Sequence, residues 1–61
     1  MNKKYMVIDI YEDYEVLGVV DSKRSASKLA RERVNDTDGE CYIVLKEQVL
    51  NHWIPVKDWV Y

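Results

Sequence analysis

The sequence predicts a small α+β domain of the order strand–strand–helix–strand, and three observations carry that prediction. Ala26, Leu29, Ala30 and Val34 fall at i, i+3, i+4 and i+8, one stripe of an α-helix, and no other stretch shows this period. Lys4 to Tyr11 and Tyr14 to Val20 are rich in Val, Ile and Tyr, the residues that suit a pleated surface. The chain has 61 residues, enough for one domain, and a domain of this size buries only about 60% of its unfolded surface. One helix must therefore cover one small sheet, and oligomerisation or a partner would add to a marginal core.

The helix occupies Ser22 to Val34. Asp21 or Ser22 can cap it, because a short side-chain oxygen accepts an orphan N–H of the first turn. Asn35 can close it, since Asn tolerates the left-handed backbone common just past a helix end.

The two strands before it are joined at Glu12-Asp13, a two-residue connection without the glycine that tight hairpins favour. Pairing Tyr11 with Tyr14 sets the register, because side chains alternate faces. Met6, Ile8 and Ile10 then share a face with Val19, Leu17 and Glu15, and this face is the expected seat of the helix. The other carries Tyr5, Val7, Asp9 and Tyr11 opposite Val20, Gly18, Val16 and Tyr14. It is also mostly apolar, unlike the wet face of an ordinary antiparallel sheet, so something is expected to cover it.

Asn35 to Gly39 is a loop by composition. Its acids suggest a calcium loop, but placing Gly39 at the required glycine puts Val34 and Leu45 at ligand positions, which neither can fill. Glu40 to Lys46 reads as a third strand, with Cys41, Ile43 and Leu45 on one face and Tyr42 and Val44 on the other. A crossover through the helix lays it parallel to the second strand and beside the first, giving sheet order 2-1-3. The apolar tail from Gln48 to Tyr61 reads as a short fourth strand or irregular segment up to Ile54, then one helical turn at Val56 to Trp59. Pro55 restricts any strand there to an edge.

Chemistry is mostly absent from the sequence. His52 is the only histidine and Cys41 the only cysteine, with no metal-ligand spacing around them. Cys41 falls on an apolar strand face, where thiols are usually inert, and Glu12-Asp13 lies at a hairpin tip with no pocket to shift either acid. Gly18 and Gly39 are the only glycines, so no phosphate loop exists. The chain is therefore expected to be non-enzymatic and to need no metal or cofactor. The lone thiol suits a reducing cytoplasm, and the run Tyr5 to Ile8 is too short to span a membrane.

The net charge of −2 hides a separation. The helix holds five bases, Lys23, Arg24, Lys28, Arg31 and Arg33, against Glu32 alone, a balance of +4, and the remainder carries −6. Arg24, Lys28 and Arg31 lie opposite Ala26 and Ala30 on the helical wheel and could reach phosphates. Three outward bases on an acidic chain of pI near 5.2 make a weak footprint, so nucleic acid is the alternative partner and not the leading one. Arg33 points toward the apolar stripe, where Glu15 is a candidate ion-pair partner.

The run Tyr5-Met6-Val7-Ile8-Asp9-Ile10-Tyr11-Glu12-Asp13-Tyr14-Glu15-Val16, the Ser/Ala-rich basic helix and Thr37 to Val44 together resemble small proteins encoded by bacteriophages and prophages of Gram-positive bacteria. The resemblance covers about the first three quarters of the chain. It implies a cytoplasmic protein of the host bacterium that binds and disables a host enzyme or defence component, and it assigns no residue a role. From the residues themselves, a protein–protein interaction is expected, with a host protein or as a homodimer. Tyr11, Tyr14, Trp53 and Trp59 are the candidate interface residues, because Tyr and Trp dominate interface hot spots.

Overall fold

The computed structural model describes residues 3–59. It contains β1 (Tyr5–Asp9), β2 (Glu15–Val20), α1 (Lys23–Thr37), β3 (Ile43–Val49) and β4 (His52–Pro55). The α+β class holds, and the four strands form one antiparallel sheet in the order β2-β1-β3-β4. The expected 2-1-3 core is present, with the short fourth strand added outside β3.

Local chemistry explains the element ends. Ser22 caps α1, its Oγ accepting from Ser25 N–H at 3.1 Å, so the choice between Asp21 and Ser22 falls to the serine. The helix outlasts the expected stop at Asn35 and runs to Thr37, whose hydroxyl donates to Arg33 C=O at 2.8 Å. Asp38 takes the left-handed conformation instead, with φ 54°, and Gly39 N–H donates to Val34 C=O at 2.9 Å. β3 begins three residues later than expected, and its hairpin to β4 turns on Leu50 and Asn51, both at positive φ, as a tight two-residue turn requires. A turn at residues 57–58 stands where a helical turn over 56–59 was expected.

The first hairpin departs from its expected register. Tyr5, Met6 and Val7 pair with Val20, Val19 and Gly18 as expected, but Ile8 then pairs with Val16 and Asp9 with Glu15. Leu17 is the extra residue of a β-bulge, and two neighbours at a bulge can point to the same side. The connection is correspondingly longer, spanning residues 10–14, with Asp13 and Tyr14 both at positive φ.

The bulge accompanies the main correction. The helix does not sit on the Met6/Ile8 face; it covers the face of Tyr5, Val7 and Leu45, with Ala26 wholly buried between. Leu17, Val20, Leu29, Ile43, Val56 and Trp59 pack around this core. Gly18 lies opposite Val7 beneath Leu29, where a Cβ would come within 2.8 Å of Leu29 Cδ1 and push that side chain aside. Ala26 and Ala30, both fully buried, let the helix backbone approach closely. β3 presents Ile43 and Leu45 to the helix side and Lys46 and Gln48 to the other, which favours the same face. Leu29 consequently lies over Gly18 and beside Leu17, and Ile8 is on the far side of the sheet.

This packing predicts a non-additive pair. Leu29→Ala should cost about 2–3 kcal/mol as a partly buried truncation. Gly18→Ala should cost about 1–2 kcal/mol by overpacking against Leu29. In the double variant, the space vacated by Leu29 should absorb the new methyl, so the second substitution becomes nearly neutral. Urea denaturation of the four proteins checks this, and simple additivity would show that Leu29 does not sit over Gly18.

Candidate interaction face

A helix on one side leaves the other side of the sheet to be accounted for. Alternation along β1 and its register put Met6, Ile8, Val16, Val19, Val44 and Lys46 on the side away from α1. Gln48 pairs with Trp53, which brings that tryptophan onto the same side. Ile10 N–H donates to Tyr42 C=O at 2.9 Å, so the ladder continues past the strand ends and adds Tyr42. Among the described tail residues, Val56 and Trp59 pack against the helix-side core and not on this side. The face is apolar and exposed toward its margins: Val16 is 51% exposed, Val19 50% and Tyr42 62%, while Met6, Val44 and Trp53 are half-buried and Ile8 at its centre is buried. Lys46 is the one charged residue near its middle.

The residues expected to form an interface are not brought together as one surface. Trp59 belongs to the helix-side core, so for this residue the structure favours a lid over an exposed binding surface. Trp53 lies on the open face. Tyr11 and Tyr14 are each 67% exposed, but they stand on the 10–14 turn and not on a paired strand. Met6, Ile8 and Val19, expected at the helix seat, lie on the side away from the helix instead, with Val19 exposed, Met6 half-buried and Ile8 buried. The signal was their alternation; the assignment failed because nothing in it told which face Gly18 would open to Leu29.

The bases Arg24, Lys28 and Arg31 do come together, around an open concavity of about 560 Å³ shared with Ser25 and Ser27 on the outer side of α1. They are the residues of the nucleic-acid alternative.

At one end of the helix side lies a polar cluster. Asp9 is fully buried. Its Oδ1 accepts from Tyr11 N–H and Tyr42 N–H, each at 3.1 Å. Its Oδ2 accepts no hydrogen bond and faces Arg33 Nη1 at 3.6 Å. Arg33 Nη2 donates to Glu15 Oε2 at 2.8 Å, so the expected Glu15 pairing is present and Asp9 is its unexpected second partner. The hydrogen bond to Glu15, with the neighbouring acids, raises the guanidinium pKa above its ordinary value and keeps it charged. Each of these groups is held by another, and the cluster shapes the turn without offering a free acid or base.

Other chemistry is kept apart. Cys41 precedes β3 and His52 opens β4 opposite Val49, so the length of β3, roughly 20 Å, separates them. That is far beyond the reach of a nucleophile and its base. Among the described residues no three His, Cys, Asp or Glu stand where they could hold a metal ion, and no helix is long and apolar enough to cross a membrane. Comparison with known proteins finds no family model, no curated protein and no solved structure that matches this chain.

Two outcomes follow from these clusters. Arg33→Met removes the cation facing the buried Asp9 carboxylate and should lower stability, whereas adding Asp9→Asn should restore much of the loss. Chemical denaturation of the single and double variants measures this. For the basic concavity, replacing Arg24, Lys28 and Arg31 with Gln should leave folding intact. Wild-type binding to DNA or RNA should stay weaker than micromolar at physiological salt. Micromolar binding that falls steeply with added salt and disappears in the triple variant would promote the nucleic-acid alternative.

Proposed function

We propose that the chain is a small non-enzymatic protein-binding domain that works through the open face of its sheet. The observation that carries this reading is the exposure of Val16, Val19 and Tyr42 beside half-buried Met6, Val44 and Trp53, on the side of the sheet away from the helix and from Val56 and Trp59. An apolar sheet face left in water is a cost, and burial against another protein removes it at about 25 cal/mol per Å² of apolar surface. Trp53 and Tyr42 supply the large, stiff side chains that act as anchors in such contacts. A phage- or prophage-type product that disables a host enzyme or defence component by occupying its surface needs such a face and no catalytic group.

The test uses the residues on the face that the fold needs least. Val16→Lys/Val19→Lys should fold with a melting temperature within a few degrees of the wild type, since both side chains are half exposed. Immobilised wild-type chain should retain a protein partner, whether a second copy or another chain, and the double variant should not. Equal retention by the two would remove the open face from the function.

A further inference from the structure

We infer that the acidic, tyrosine-bearing end of the sheet binds a cationic segment of the partner protein, an extended stretch rich in arginine or lysine. This rests on the protein-binding reading above and names the chemistry of the partner. The buried Asp9 gathers the tyrosines. Its Oδ1 accepts from the N–H groups of both Tyr11 and Tyr42, so two main-chain segments distant in sequence meet on one oxygen atom. Asp9 also pairs with Glu15, the residue after Tyr14, which brings the third tyrosine to the same end. All three tyrosines are mostly exposed. Tyr14 is held at φ 62°, a left-handed conformation that bulky residues rarely adopt, and its ring gains little burial in return. Strain kept at an exposed aromatic points to recognition and not to packing.

The charge of this end selects the partner. Glu12 and Asp13 are exposed in the turn between Tyr11 and Tyr14. Asp36, Asp38 and Glu40 are exposed on the last turn of α1 and on the loop that runs from it to Tyr42. The helix points the negative end of its dipole the same way, and its last turn holds no basic residue to offset it. Arg33 reaches in from α1 but is already engaged by Asp9 and Glu15. Such a field repels phosphates and anionic lipid and draws cations. A single metal ion does not fit, since among the described residues no three His, Cys, Asp or Glu stand close enough to hold one. The acids are spread, and exposed tyrosine rings among them attract guanidinium or ammonium groups through their negative faces. Arginine suits both parts, stacking on a ring while its fork donates to a carboxylate. A second copy would bring the basic outer side of its helix, a head-to-tail contact that builds rings or filaments and not one closed complex.

Isothermal titration calorimetry of the full chain with a capped hexa-arginine peptide, at physiological salt, tests the assignment. Six extended residues reach roughly 20 Å, enough to cross the end of the sheet. The wild type should bind with a submillimolar dissociation constant and ignore hexa-glutamate. Tyr11→Ser/Tyr14→Asn/Tyr42→Ser keeps every charge, and asparagine tolerates the positive φ at its position. This variant should bind about tenfold or more weakly, from the loss of three exposed cation–π contacts. Tyr11→Phe/Tyr42→Phe keeps the rings and should bind like the wild type. Glu12→Gln/Asp13→Asn/Glu40→Gln removes three charges and should weaken binding severalfold. Circular dichroism confirms that each variant is folded. Undiminished binding by the ringless variant would reduce the contact to plain charge attraction and overturn the proposal, as would undiminished binding by the acid-neutralised one. So would a wild-type mass that rises with concentration in sedimentation and returns to the monomer on Arg24→Gln/Lys28→Gln/Arg31→Gln, because the occupant is then a second copy. A wild type that does not bind hexa-arginine also overturns it. In that case, a partner still retained in a Val16- and Val19-dependent manner leaves the protein-binding reading standing, and loss of that retention ends both.

Discussion

The buried carboxylate of Asp9 is the constraint around which this small domain closes. A carboxylate with no exposed surface must have its charge and its lone pairs answered locally, or the fold forfeits several kilocalories per mole. Two backbone N–H groups answer Oδ1, one from the turn that follows β1 and one from the residue that leads into β3. Arg33 answers Oδ2 from the last turns of α1 and reaches on to Glu15 at the start of β2. One side chain therefore fixes where the first hairpin bends, where β3 begins and where the helix comes down. A bend that would otherwise need glycine is held by side-chain hydrogen bonds, as Asp commonly does at turns.

The helix-side core is built outward from that end. With Arg33 anchored over Asp9, the stripe of Ala26, Leu29 and Ala30 is committed to the face that carries Val7 and Tyr5. Gly18 then becomes the one position on β2 that can pass beneath Leu29. The bulge at Leu17 adds an apolar neighbour without adding a Cβ at the contact. Val56 and Trp59 fill what the fifteen-residue helix leaves uncovered on this side. Among the described residues the helix and the tail residues Val56 and Trp59 are both spent on this face.

Much of this was legible in the sequence, and the point of failure is specific. The strand–strand–helix–strand order, the place of the third strand beside the first, the Ser22 cap and the Arg33–Glu15 pair all follow from period, crossover geometry and charge position. The face chosen by the helix did not. Both faces of the hairpin are apolar, so alternation alone cannot rank them, and a single inserted residue at Leu17 shifts the register near the hairpin end. Bulges leave no mark in hydrophobic pattern. The buried role of Asp9 was equally hidden, since an aspartate inside an apolar run reads as a break or as a surface residue. Reversing the faces also redistributed the candidate interface: Trp59 went to the core, Tyr11 and Tyr14 to the turn, and Trp53 alone stayed on the surface now left open.

An open apolar face on a domain this small couples binding to stability. The helix side alone supplies a core of a few fully buried side chains, with Val7 and Leu45 the largest apolar ones. Each such residue contributes about 1.5–3 kcal/mol before the entropy of ordering the chain is set against it. A partner that binds only the folded form stabilises it by mass action, more strongly as its concentration rises above the dissociation constant. Under the proposed reading the face is both the recognition surface and the missing half of the hydrophobic layer.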